Sequence, residues 1–245
     1  MAMDKGPWTM DYGFERYYVA AREKECRIYT DDQLRQLPDI AAGHRHQQEW
    51  KVRKRSAEKL IRVLGNAKRP LSVLEVGCGN GWLAHLLARL PGLQVTGVDL
   101  NTLELTQAQR VFGQQENLRF VAGDIRAGRL QDQPFDRIIF AAAIQYFPCL
   151  GEIIGVALNQ LAEDGEIHIL DTFFYDKKDL AAARKRSRDY YSSLGVPEMK
   201  AYYFHHLLED LAPFSYQLTE PRSWLQRLWP GREPLFPWII IKKGQ

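Results

Sequence analysis

The chain has 245 residues, 45% of them hydrophobic and 26% charged, and a formal net charge of +3 at pH 7. That composition predicts a globular chain whose core needs no disulfide or metal staple. The charge is too small to mark a nucleic-acid binder, no apolar run reaches the ~20 residues of a bilayer span, and Cys26, Cys78 and Cys149 are too scattered for a zinc or disulfide framework.

Residues 1–43 are polar and aromatic with weak periodicity. Within them, TDDQ at 30–33 has the capping-box form and predicts a short helix ending before Pro38. Trp50, Ala57, Leu60, Ile61 and Leu64 mark an amphipathic helix from about 45 to 64, with Gly65 as its C-cap. It lies in a basic stretch, 44–69, where nine Lys or Arg face only Glu49 and Glu58. From residue 71 strands alternate with helices. Strands are expected at 71–76, 94–99, 118–124, 135–144 and 165–173, and helices at 81–90, 102–112 and 150–161. Short apolar strands between helices predict an α/β, doubly wound, mostly parallel sheet covered on both faces. Residues 176–212 read as an inserted, aromatic and basic helical segment. Residues 214–220 and 237–243 read as two further strands.

The stretch VLEVGCGNGW at 73–82 places Gly77, Gly79 and Gly81 in the first strand-to-helix turn. In an open parallel sheet, ligands sit beyond the carboxyl ends of the strands. The dinucleotide pattern G-x-G-x-x-G fails because Trp82 occupies its last position. A Walker A loop fails because no Lys-Ser/Thr pair follows. Asp99 ends the second strand, where a carboxylate can accept from both hydroxyls of a ribose. Asp124 ends the third and can accept from an adenine amino group, with Leu100 and Ile125 on either side of the ring. Each acidic residue alone is equally a loop cap. Three such sites on three consecutive strands point to a nucleoside.

VLEVGCGNGWLAHLLA, VTGVDLN, FVAGDI, FDRIIFAAAIQYF and LAEDGEIHILDTF, in this order over roughly 70–175, resemble the class I S-adenosylmethionine-dependent methyltransferases. The resemblance implies a seven-stranded Rossmann-like sheet with its last strand antiparallel. It implies S-adenosyl-L-methionine as cofactor, S-adenosyl-L-homocysteine as product, and in-line methyl transfer to a small molecule through O, N or C. It also implies one domain over 1–245: an N-terminal helical lid at 1–69, the cofactor-binding core at 70–175, a second lid at 176–212 and the final two strands at 213–245. Gly77, Cys78 and Gly79 should line the methionine portion, with Glu75 near its amino group. Asp99 should hold the ribose, Leu100 should lie beside the adenine, and Asp124 and Ile125 at its edge. Ala141 and Ala142 should lie near the sulfonium.

After strand four, AAAIQYFPCL lacks the Asp/Asn-Pro-Pro-aromatic motif of nucleobase amino methylases. It has alanines where metal-dependent catechol methylases place an aspartate, so no metal is expected. Pro148-Cys149 reads as a helix start with a packed cysteine. Gln145 and Tyr146 are expected to face the site mouth and orient the acceptor, although Tyr146 could equally pack on the cofactor. Tyr202 and Tyr203 are further substrate candidates. Tyr146 and His205 are the catalytic candidates; His168 and His85 read as structural. Arg45, Trp50 and Arg53 are candidates for closing over the cofactor carboxylate or the substrate. The aromatic and basic lids favour an aromatic or anionic acceptor, handled by a monomer or homodimer. With no apolar leader pattern and sparse cysteines, a cytoplasmic setting is expected. A non-catalytic S-adenosylmethionine-binding protein and an RNA methyltransferase remain alternatives.

Overall fold

The computed structural model describes residues 12–128, 130–219 and 236–243. The tryptophan-bearing stretch 220–235 lies outside them. Helix α1 (Tyr12–Lys24) is followed by α2 (Asp31–Gln36) and α3 (Gln47–Gly65). The core then runs β1 (Leu71–Val76), α4 (Trp82–Ala88), β2 (Leu93–Asp99), α5 (Thr102–Phe112), β3 (Leu118–Ala122), β4 (Phe135–Ala141), α6 (Leu150–Gln160) and β5 (Leu161–Leu170). Helix α7 (Lys177–Ser193) and two 3-10 segments, Pro197–Tyr202 and Leu208–Leu211, precede β6 (Tyr216–Leu218) and β7 (Ile239–Lys242).

The seven strands form one sheet in the order β3-β2-β1-β4-β5-β7-β6. Strand β7 runs antiparallel to both of its neighbours; β1 to β5 pair in parallel. Strand order reverses about β1, which lies between β2 and β4. Such a switch point opens a crevice at the carboxyl ends of the strands.

Alternation along each strand divides the core in two. Leu71 and Val73 join Trp50, Leu60 and Leu64 of α3 and Leu83 and Leu87 of α4 on one face. Leu74 and Val76 join Ile138, Phe140 and Ile167 with Ile153 and Ile154 of α6 on the other. The indole N–H of Trp50 donates to the Tyr29 hydroxyl at 2.8 Å, and its ring meets Trp82 edge-on. These contacts tie the N-terminal helices to the glycine turn.

Several boundaries depart from the sequence reading. The fourth strand stops at Ala141 instead of 144 because Ala142 takes a left-handed φ of +53° and the chain turns into a 3-10 segment, Ile144–Tyr146. The fifth begins at Leu161, four residues early. Leu161 pairs with Phe135, and a register shift between Phe135 and Arg137 lets the chain absorb Ala162, Glu163 and Asp164, which lie between the expected helix and the expected strand. The segment 176–212 is not one helix: Gly195 at φ +73° follows α7 and 3-10 turns replace it. The Thr30 capping box forms with Gln33. Cys149 is exposed rather than packed. His168 is fully buried, accepting from the Trp238 indole at 3.2 Å, and His85 stacks on Phe112, both structural as expected.

Candidate active site

The turn after β1 is built on three glycines in the left-handed region, Gly77, Gly79 and Gly81. Gly77 has φ +71°, and a Cβ there would lie 2.6 Å from that of Ala143. Gly79 has φ +52°, and its Cβ would come within 3.1 Å of a Glu104 carboxylate oxygen. A side chain at either position is both strained and crowded. The turn is fixed from β2: the Gly77 N–H donates to the Val98 carbonyl, and the Gly79 N–H donates to Asp99 Oδ2 at 2.7 Å. Asp99 Oδ1 accepts from the Asn101 N–H at 2.8 Å. One carboxylate thus locks the turns after β1 and β2 together.

Two cavities meet there. The first, about 240 Å³, runs along the ends of β1 to β4 and is lined by Gly77, Asp99, Leu100, Gly123, Asp124, Ile125, Ala142 and Tyr146. Its cover comes from α1, through Phe14 and Tyr18, and from 201–204, through Ala201, Tyr202 and Phe204. The second, about 70 Å³, is lined by Glu75, Cys78, Gly79, Ala141, Trp50 and three arginines, Arg22, Arg27 and Arg53. Tyr18, Gly77 and Ala142 line both, so the two form one cleft with an apolar and a charged end.

Buried carboxylates and arginines meet at the charged end. Glu75 is 2% exposed, and its Oε2 has no hydrogen-bond partner. Burial pushes its carboxyl up to about 8, against the Ala84 N–H, which favours the ionised form. Burial likewise pushes Glu104 up to about 7, with Arg22 pulling the other way, and raises Asp99. Arg22 donates to the Tyr18 hydroxyl at 2.8 Å and pairs with Glu25. Arg53 pairs with Glu49 at 3.0 Å and lies against the Trp50 ring.

The cleft gathers most of the candidate residues. Glu75, Cys78, Gly79 and Ala141 fall at the charged end, Gly77 and Ala142 at the junction. Asp99, Leu100, Asp124, Ile125, Tyr146 and Tyr202 fall along the longer cavity. Asp124 arrives with its carboxylate engaged by the Arg126 guanidinium and backbone N–H. Gln145 does not face the mouth: its amide donates to the Ala142 carbonyl at 2.6 Å and accepts from Thr172 at 2.9 Å. It holds the left-handed turn at Ala142 from behind. Tyr203 and His205 line a different cavity, and a His205 ring nitrogen is bonded to the Ser187 hydroxyl at 2.9 Å. Arg45 points away, toward Cys26.

Residues absent from the sequence reading complete the cleft: Phe14, Tyr18 and Arg22 of α1 and Glu104 of α5. The i, i+4 spacing of Phe14, Tyr18 and Arg22 places them on one helix face and was the available signal.

Comparison with known proteins agrees with this geometry. Residues 73–165 match a family model described as a methyltransferase domain. The chain is 33% identical over 117 residues to a malonyl-[acyl-carrier protein] O-methyltransferase of Acetivibrio thermocellus, covering 47% of this chain and 41% of that protein. It is 25% identical over 187 residues to the protein of the same name from Halalkalibacterium halodurans, covering 67% and 69%. The chain therefore spans less than half the length of the first of these relatives. Among solved structures, the plantazolicin methyltransferase BpumL, in complex with a triazolic analogue and S-adenosylhomocysteine, superposes with a TM-score of 0.57 at 18% identity, covering 95% of this chain and 98% of that one. That likeness is one of fold. Sheet order, glycine turn and family match agree over the core: residues 73–165 match a methyltransferase domain, and they supply β1 to β4 and the glycine turn.

Proposed function

We propose that the protein transfers the methyl group of S-adenosylmethionine to a small-molecule acceptor. One observation carries this reading: the cleft pairs an orphaned, buried carboxylate and a set of arginines at one end with an apolar, aspartate-edged slot at the other. An amino acid joined to a nucleoside has that polarity. Glu75 Oε2 would take the amino group, Arg53 or Arg22 the carboxylate, Asp99 the ribose hydroxyls, and Leu100 and Ile125 the faces of the adenine. The cofactor supplies a methyl group on a sulfonium, whose departure as a thioether needs no acid.

The chain's own task is alignment and exclusion of water. Ala142, pinned by the Gln145 amide and by its N–H to the Leu170 carbonyl, presents backbone at the middle of the cleft. Phe14, Tyr18, Tyr146 and Tyr202 form an aromatic cover with ring centroids 5.5–5.8 Å apart. An acceptor entering there meets apolar ring faces and the hydroxyls of Tyr18 and Tyr146. Tyr146 then serves as an orienting residue. His205 does not line the cleft, which argues against it as a base and favours an acceptor that needs none, such as an amine. The test is calorimetric titration with S-adenosylhomocysteine, followed by screening of acceptors with methyl-labelled cofactor. Saturable binding and label transfer to a metabolite are expected. Binding without transfer to any acceptor would favour the non-catalytic reading.

A further inference from the structure

A third cavity, about 980 Å³, lies between α7 and the chain from 203 to 213. Arg184 and Arg188, one turn apart on the same face of α7, line it with Lys200 from the 3-10 segment. None of these three cations has a carboxylate partner among the described residues. Two other lysines of the same helix do: Lys185 pairs with Asp189 at 2.6 Å, and Lys177 with Glu209 at 2.8 Å. The carboxylates of the cavity are also committed, Glu209 to Lys177 and Asp210 to the Leu207 N–H at 2.8 Å. The Ser187 hydroxyl and the His205 ring, bonded to each other, also line it. Burial, and then the nearby Arg184, hold His205 below its ordinary range.

This cavity adjoins the proposed methyl-transfer cleft. Pro148 and Phe204 line both. We infer that it is the anion-binding end of the acceptor site, and that it takes a phosphate monoester carried by a small molecule whose reactive end lies under the aromatic cover. This inference rests on the methyltransferase reading. The slot under Phe14, Tyr146 and Tyr202 is lined by ring faces and repels charge, so an anionic acceptor must place its charge elsewhere. A carboxylate is satisfied by one bidentate arginine. Here two arginines, a lysine, a hydroxyl and an imidazole converge from three segments. That donor set suits the three oxygens and nearly double charge of a phosphate.

The test uses the full chain and phenyl phosphate as probe, by calorimetry with S-adenosylhomocysteine present, with benzoate run in parallel. Arg184→Gln/Arg188→Gln should weaken phenyl phosphate by about tenfold or more, because two charge-assisted contacts are lost. Lys185→Gln, on the same helix but paired with Asp189, should change nothing. Both arginines are exposed, so the double variant should keep its melting temperature and its S-adenosylhomocysteine affinity. No binding of phenyl phosphate, binding that ignores the double substitution, or benzoate binding equally well would overturn the inference. Failure of S-adenosylhomocysteine itself to bind the unaltered chain would instead strike the methyltransferase reading, and that titration is made on the same sample.

Discussion

Glu75 is the residue on which site and stability pull against each other. Its carboxyl is pushed up to about 8 in the folded chain, against an ordinary 4.5. The folded state therefore holds a proton that the unfolded state releases, and stability falls as pH rises from about 4.5 toward 8. Glu75→Gln should remove that slope and raise stability at pH 8 on the order of 1–2 kcal/mol, read by thermal unfolding. A lower melting temperature at pH 8 would contradict it. The same proton should leave when a cationic amino group binds. S-adenosylhomocysteine affinity should then rise from pH 6 to 8, with a binding enthalpy that varies with the buffer, and Glu75→Gln should lose both effects. Asp99→Ala should weaken S-adenosylhomocysteine by about 1.5–3 kcal/mol through lost charge-assisted hydrogen bonds. It should also cost some stability, since Asp99 anchors the Gly79 and Asn101 N–H groups. Unchanged affinity would remove Asp99 from the site. Gly79→Val should abolish binding, because left-handed backbone and the nearby Glu104 leave a branched side chain no room.

At the scale of elements, the cover is an assembly of two remote segments. Helix α1 packs on the 3-10 segment Pro197–Tyr202 through Phe14, Tyr17 and Tyr202, and a small aromatic core with Tyr191 and Met199 backs it. Hydrogen exchange with and without S-adenosylhomocysteine should show slowing in α1 and in 197–204 as well as at the glycine turn. Helix α6, on the opposite face of the sheet, should not respond. Protection confined to the turn would mean that these segments do not close over the cofactor. The sequence announced that 1–43 and 176–212 stand outside the sheet and are aromatic, but not which rings turn inward. Tyr202 lines the cleft while Tyr203, its neighbour, lines the basic cavity. Without helical periodicity in a 3-10 segment, nothing local distinguishes them. Gln145 was misleading for a related reason. A lone amide in an apolar run reads as ligand-facing, yet the left-handed backbone at Ala142 needs it as a brace, and that strain appears only in three dimensions.

For the whole molecule, the fold was legible because periodicity and topology agree. Apolar strands such as LSVLEV and FDRIIF alternate with helices whose caps are visible, as at Asn101, whose side chain accepts from the Leu103 and Glu104 N–H groups. Right-handed crossovers then leave few ways to order a parallel sheet. The placement of Glu75, Asp99 and Asp124 followed from their positions at strand ends. What did not follow was long-range convergence: Arg22 and Tyr18 reach the cleft from α1, and Glu104 from α5, by the packing of elements far apart in the chain. No helix among the described residues is long and apolar enough to cross a membrane. The central claim, that this cleft is built for an amino acid joined to a nucleoside, is tested most directly by calorimetric titration of the full chain with S-adenosylhomocysteine near pH 8, with NAD as the comparison. Saturable one-to-one binding of S-adenosylhomocysteine, with none comparable for NAD, is the expected result; tight NAD binding with no response to S-adenosylhomocysteine would contradict it.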